Sequence, residues 1–327
     1  MILEKNNQNF PLVSIVTPSY NQGEYIEETI QSVLNQNYPN IEYIVIDGGS
    51  KDRSKEIIQK YADKISYWVS EPDNGQADAI NKGWEMSTGE FIGWINSDDI
   101  LTSTSVNEVV KTFLKNPALG LVYGDLERIN ELGEFIEYSS YSEFNLKEMV
   151  RKAGWISQPG SLIKKAVYEK VGELDASLHF QMDLDYWLKI GLNYPVEYLP
   201  YPVAKFRQHT LSKTNSSSHI AANDIIKIYS KFFSRKDLPA EYLLIKREAF
   251  SNAYIYSARA FMRSEKYWDA LLSLKKSIFG YPQALTNTII WKTVIEIIFI
   301  IFMGGYKSKR YKKYKVFMKN IRFKTKG

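Results

Sequence analysis

Between Leu12 and Tyr123, short β-branched runs alternate with stretches of helical periodicity, and no other feature limits the fold so tightly. Leu12–Thr17 (LVSIVT), Ile41–Asp47 (IEYIVID), Ile65–Val69, Glu90–Ile95 and Leu119–Tyr123 read as five strands. Between them lie four predicted helices: Glu24–Gln36, with Ile26, Ile30, Val33 and Leu34 on one face; Asp52–Ala62, with Ser50 as its cap; Gln76–Met86; and Ser103–Leu114. Strands and helices joined by short connections imply a mainly parallel, doubly wound α/β sheet with right-handed crossovers. Ligands of such sheets bind beyond the carboxyl ends of the strands. The first strand runs into Pro18-Ser19-Tyr20-Asn21, the second into Asp47-Gly48-Gly49-Ser50. The third runs into Glu71-Pro72-Asp73-Asn74-Gly75 and the fourth into Asn96-Ser97-Asp98-Asp99. Three of the four tips carry acids at one edge of the sheet, which is more than surface solvation asks for.

Beyond this half the pattern changes. From about 126 to 215 it mixes turns, the segment Trp155–Gly160, a helix near Asp183–Leu192 and a strand pair, Val196–Leu199 and Val203–Arg207. This reads as a second, acceptor-side lobe of one unit spanning 1–215, with a nucleotide-side half at about 10–125. Residues 216–284 read as helical; Ala253–Pro282 is similar to one tetratricopeptide-type hairpin and equally to a generic helical hairpin. Ile289–Phe302 is apolar, with Lys292 and Glu296 four apart and able to pair. It is short for a spanning helix, which needs about 20 apolar residues. The residues after it, 306–327, hold ten Lys/Arg and no acid, which leaves the rest of this +5 chain net acidic. An apolar helix followed by such a tail reads as an interfacial attachment to anionic lipid for 285–327. The opening MILEKNNQNF lacks a charged region followed by an apolar core, so the expected location is cytoplasmic, peripheral at the inner membrane face. There is no cysteine, which excludes disulfides and thiolate metal sites; three histidines disfavour a histidine-rich zinc site.

Each acidic tip has two readings. Asp98 and Asp99 repel one another, and a divalent cation such as Mg²⁺ or Mn²⁺ would relieve that and neutralise a departing diphosphate; Asp99 or Ser103 capping the next helix is the alternative. Asp47 could accept a base N–H where two glycines admit a ligand closely, or could be an ordinary Asp-Gly turn.

Several blocks together resemble the inverting family 2 glycosyltransferases. They are TPSYN (17–21), SVLNQ (32–36), IDGGSKDRS (46–54), EPDNGQADAINKG (71–83), TGEFIGWINSDD (88–99), QPGSLIKKAVYEKVGELD (158–175) and MDLDYWLKIG (182–191). They stand in family order across roughly Leu12–Ser212. The resemblance implies the GT-A fold, a Rossmann-like mixed sheet, with a helical region added at the C-terminal side. It also implies a nucleotide-sugar donor, UDP-sugar favoured, a divalent metal, and bacterial cell-surface polysaccharide as the setting.

Carried over by position, Pro18, Tyr20 and Asp47 line the base pocket. Asp78 and Lys82 face the diphosphate and donor sugar. Asp99 is the direct metal ligand, Asp98 lies nearer the ribose, and Asp183 is the general base. The family's Glu before that aspartate is Met182 here, and the frequent second aspartate after strand two is Gly48. The residue types agree with an inverting step, in which one carboxylate takes the proton of the attacking hydroxyl. Asp185, two positions on, points another way, as an N-terminal helix charge.

Arg207, His209 and Lys213 could close over the diphosphate, with His209 within reach of the metal, or could form a solvated basic loop. Trp155, Gln158 and Pro159 are candidates for the acceptor wall; lobe packing is the competing reading for Trp155. The expected acceptor is a glycan or lipid-linked glycan receiving one sugar per event, because no Gln-x-x-Arg-Trp motif is present. Oligomerisation is left open and no nucleic-acid partner is expected. A nucleotidyltransferase would want a basic Gly-rich loop after strand one, where PSYNQGEY has no basic residue. A polyanion-binding role for the tail, which interleaves aromatics with Lys/Arg, is the non-enzymatic alternative.

Overall fold

The computed structural model describes residues 10–209, 218–286, 288–305, 308–311, 313 and 314. Lys213, the first nine residues and most of the basic tail lie outside them. The chain divides into two compact units: 1–146 with 155–209, and 147–154 with 210–327.

The first unit is built on a nine-stranded sheet ordered β3-β2-β1-β4-β8-β6-β9-β5, with β7 on β6. β1 (Val13–Ser19), β2 (Ile41–Asp47), β3 (Tyr67–Ser70) and β4 (Phe91–Trp94) are mutually parallel. β8 (Leu162–Lys164) runs antiparallel between β4 and β6 (Leu121–Ile129). β9 (Val196–Arg207) lies parallel to β6; β5 (Ile100–Leu101) closes the far edge and β7 (Phe135–Ser139) pairs back on β6. The two expected strands after residue 195 are therefore one. Its register on β6 shifts around Asp125 and Pro202, where the ring removes a ladder N–H, so the strand bends and continues.

Four crossover helices pack on the sheet: α1 (Ile26–Leu34), α2 (Ser54–Lys60), α3 (Gln76–Met86) and α4 (Ser105–Lys115). Ser50 does not cap α2, whose flanking residue is Arg53; its hydroxyl is given to Asp47 instead. The core is the continuous apolar run of the parallel strands against these helices, including Val13, Ile15, Val45, Ile30, Val109 and Phe113. α3 comes so close to β1 that a Cβ on Gly83 would stand 2.5 Å from a Val16 methyl. α6 (Lys165–Val171) and α7 (Met182–Gly191) follow β8.

The second unit holds most of α5 (Leu146–Lys152) and then α8 (Ser218–Phe233), α9 (Ala240–Arg263), α10 (Tyr267–Gly280), a 3₁₀ turn (Pro282–Thr286) and α11 (Thr288–Phe302). α9 and α10 form an antiparallel hairpin. Its hydroxyl pairs Ser251–Ser277 (2.7 Å) and Ser257–Ser273 (3.4 Å) are buried among Ala253, Ala258 and Ala270, small residues that let the backbones approach. Glu296 accepts from the Tyr311 hydroxyl at 2.7 Å rather than pairing with Lys292.

Candidate active site

The tip of β4 is where most of the expected residues meet. Past Trp94 the chain turns through Asn96-Ser97-Asp98-Asp99, with Asp99 N–H donating to Asn96 C=O at 3.0 Å. Asp99 points inward and is 1% exposed. Its Oδ1 accepts from Arg207 N–H (3.0 Å), its Oδ2 from Asn96 Nδ2 (3.1 Å). Burial, reinforced by the neighbouring Asp98 carboxylate, pushes its pKa well above the ordinary range. Asp98 points the other way: its Oδ2 lies 3.0 Å from His209 Nε2, with 19% of the side chain exposed. Both oxygens of Asp99 are engaged by the protein, and Asp98 offers the reachable carboxylate.

Arg207 anchors this turn and does not open toward solvent. It is 1% exposed, and its Nε donates to Asp98 C=O (3.0 Å). Its Nη1 donates to Asn130 and Glu131 carbonyls and its Nη2 to Glu28 Oε2 (2.6 Å). The Tyr25 ring lies beneath the guanidinium at 4.9 Å and beside the His209 ring at 4.6 Å. Replacement of β9's end by a solvated basic loop is therefore excluded for Arg207 and His209, both buried.

Gln158 belongs to the same network. Its Nε2 donates to Trp94 C=O (2.8 Å) and its Oε1 accepts from Asn96 Nδ2 (3.3 Å), while Gln76 Nε2 donates to Asn96 Oδ1 (2.7 Å). Asn96, Gln76, Tyr25 and Glu28 were not singled out from the sequence. Asn96 had a signal, since it stands two residues before Asp98 in the same turn; the others had none. Trp155 is 55% exposed.

A second cluster joins the tips of β1, β2 and β3. Asp47 is buried and accepts from Ser50 N–H (2.9 Å), Ser50 Oγ (2.5 Å) and Ser70 Oγ (2.7 Å). Asn21, at φ +52°, and Gly23 staple the first tip to the second through Ser50 Oγ and Asp52 Oδ2. Pro18 is buried in β1, whereas Tyr20 projects and is 59% exposed. Gly48 has a neighbour that sequence reading passed over: a Cβ there would meet the Asp73 carboxylate at 2.6 Å. Asp73 Oδ1 accepts from Gly75 N–H. Burial, then the Asp78 and Asp47 charges, raise the Asp73 pKa. Asp78 accepts from Asn74 N–H at 2.9 Å and Lys82 pairs with Glu71, so both brace the β3–α3 loop.

Asp183 and Asp185 stand in the first turn of α7 but differ in setting. Asp185 is buried and pairs with Lys189 at 2.9 Å, with the Lys189 side chain 18% exposed. Asp183 is half-buried, its Oδ1 accepting from Leu184 N–H at 2.8 Å. One turn along, Trp187 stacks on Trp94 at 5.7 Å, and Tyr186 lies 5.5 Å from Trp84. These rings dock α7 against β4, whose tip holds Asp98.

At that tip one carboxylate oxygen and one imidazole nitrogen, both metal-ligand types, stand 3.0 Å apart. Among the described residues no three His, Asp or Glu side chains converge to hold a metal. A cation there would need further oxygens from its ligand.

Residues 14–172 match the profile of Glycosyl transferase family 2. An uncharacterised glycosyltransferase of Rickettsia typhi is 28% identical over 301 residues, covering 88% of this chain and 92% of its own. Among solved structures, S. aureus TarS in complex with UDP superposes with a TM-score of 0.59 at 16% identity, over 83% of this chain and 89% of that one. The mannosyltransferase PcManGT from Pyrobaculum calidifontis, in complex with GDP-Man and Mn²⁺, gives 0.60 at 16% identity, over 94% and 84%. The fold is thus GT-A. Residues 14–172 are thus a family 2 glycosyltransferase domain, which carries β1 to β8 and the Asp47, Asp73, Asp98 and Asp99 tips; β9, with Arg207 at its end, lies beyond it.

Proposed function

We propose that the enzyme transfers a single sugar from a nucleotide-sugar donor, with inversion, to a glycan or lipid-linked glycan in cell-surface polysaccharide synthesis. The observation that carries the reading is the Asp98–His209 pair, held at the β4 tip by buried Asp99 and Arg207. Asp98 and His209 would hold Mn²⁺ or Mg²⁺, which when bound neutralises the diphosphate. Tyr20 offers an exposed ring for the base to stack on. The Asp73 Oδ2, with Asp47 behind it, offers an acceptor for a base N–H; both suit uracil, and a UDP-sugar is the favoured donor, as the TarS complex with UDP also suggests. Asp183 takes the proton of the acceptor hydroxyl as that oxygen bonds to the anomeric carbon and the bond to the diphosphate oxygen breaks. Asp185 is committed to Lys189 and leaves this role to Asp183. Trp155, exposed beside Gln158 in sequence, is a wall for the acceptor.

A thermal-shift screen tests the donor. UDP-, GDP- and dTDP-sugars are compared with Mn²⁺ and with EDTA, since a ligand at 100 times its Kd stabilises by about 2.7 kcal/mol. The expected result is stabilisation by a UDP-sugar that EDTA removes; equal stabilisation in EDTA would contradict the metal requirement.

A further inference from the structure

The second unit carries a surface that sugar transfer leaves unused. α11 is 15 residues long, about 22 Å at 1.5 Å per residue, against about 30 Å of bilayer hydrocarbon. No described helix is long and apolar enough to cross a membrane. One face of α11, Ile290, Thr293, Ile297 and Ile300, is buried in the core of its own unit. The opposite face sets Trp291, Ile295, Ile298 and Phe302 in one row, four, three and four residues apart, all exposed: Ile295 by 65% and Phe302 by 82%. The helix's one acid, Glu296, lies off this row and is taken by the Tyr311 hydroxyl; Lys292 flanks the row and is exposed. The Trp291 indole N–H donates to Leu285 C=O at 2.8 Å, fixing the ring at the N-terminal end of the ridge.

A helix buried on one side and greasy on the other needs an apolar phase against its outer face. Four residues after Phe302 begins the segment 306–327, with ten Lys/Arg and no acid. We propose that the Trp291–Ile295–Ile298–Phe302 ridge seats α11 in the headgroup boundary of an anionic bilayer, with the basic tail supplying charge attraction to the same lipids. Nucleic acid would satisfy the tail but offers nothing to the ridge. Pairing of two copies through the ridge would bring two such tails together in mutual repulsion. The inference is independent of the donor and metal chemistry.

The test is flotation of the full chain with vesicles of pure phosphatidylcholine or with one-third phosphatidylglycerol, for wild type and I295S/I298S. Both positions face outward, so the variant's melting temperature is expected to match wild type. Wild type is expected to float with the anionic vesicles only, and the variant's partitioning to fall by about tenfold or more, because the bound area is mainly apolar. Equal flotation of variant and wild type would overturn the proposal. So would an absence of wild-type flotation together with a concentration-dependent dimer that I295S/I298S dissolves, which would assign the ridge to a second copy. Donor-dependent thermal shift, run in parallel without vesicles, separates failure here from failure of the sugar-transfer reading.

Discussion

Adjacent carboxylates at the β4 tip sit in different settings, Asp99 fully buried and Asp98 partly exposed. Asp99 is closed off and spends its oxygens on Arg207 N–H and Asn96 Nδ2, whereas Asp98 keeps a reachable face beside His209. Asp99→Asn would turn an amide N–H toward a donor and leave it unsatisfied, at a cost of about 1–3 kcal/mol. A loss of that size is expected in urea unfolding. Asp98→Asn, whose amide oxygen can still face His209 Nε2, should cost less stability than Asp99→Asn but abolish the Mn²⁺-dependent part of donor binding. The reverse pattern would return the metal to Asp99. The sequence showed two acids at a strand end but could not say which turned inward, because that depends on Arg207, 108 positions away. Asp73 was illegible for the same reason: its carboxylate fills space that Gly48 vacates only once β2 and β3 pair.

At the scale of elements, periodicity sufficed for β1, β2 and β4, where burial on both faces forces apolar runs, for half-exposed edge strand β3, and for α1 to α4, each with one buried face. It failed at β9, where Pro200 and Pro202 suggested a break that β6 bridges by shifting register. Helix caps were equally opaque, since the Ser50 hydroxyl donates to Asp47 and accepts from Asn21 N–H rather than from an α2 backbone N–H. One contact unannounced by any motif ties three elements together. Glu42 of β2 accepts from Ser14 Oγ of β1 (2.5 Å) and from Thr88 N–H (2.7 Å) and Oγ1 (2.8 Å) ahead of β4. Burial pushes this carboxyl up, but those hydrogen bonds, with Lys165 nearby, outweigh it and hold the pKa below the usual glutamate value. The folded pKa lies below the unfolded one, so the contribution is complete above about pH 4.3 and is lost as pH falls through the depressed value. Glu42→Ala should cost about 1–3 kcal/mol at pH 7, and the gap from wild type should narrow on acidification below pH 4. Urea midpoints at pH 7 and pH 3.5 check this; a gap that stays constant would remove Glu42's charge from the account.

For the whole molecule, the first unit supplies the chemistry, with donor-side clusters on the parallel strands and the base candidate on a helix packed through stacked tryptophans. The second unit supplies helices whose hairpin was legible as two helical stretches around a short turn but whose outward ridge on α11 was not, because the sequence there is apolar nearly all round. Only packing separates the buried row from the exposed one. The central claim is that Asp183 is the base of an inverting transfer. Its most direct measurement is the turnover of Asp183→Asn with Mn²⁺ and the donor found by thermal shift, alongside that donor's Kd. The predicted result is a fall in kcat of about 10²–10⁴-fold with Kd unchanged; full turnover by the variant would contradict it.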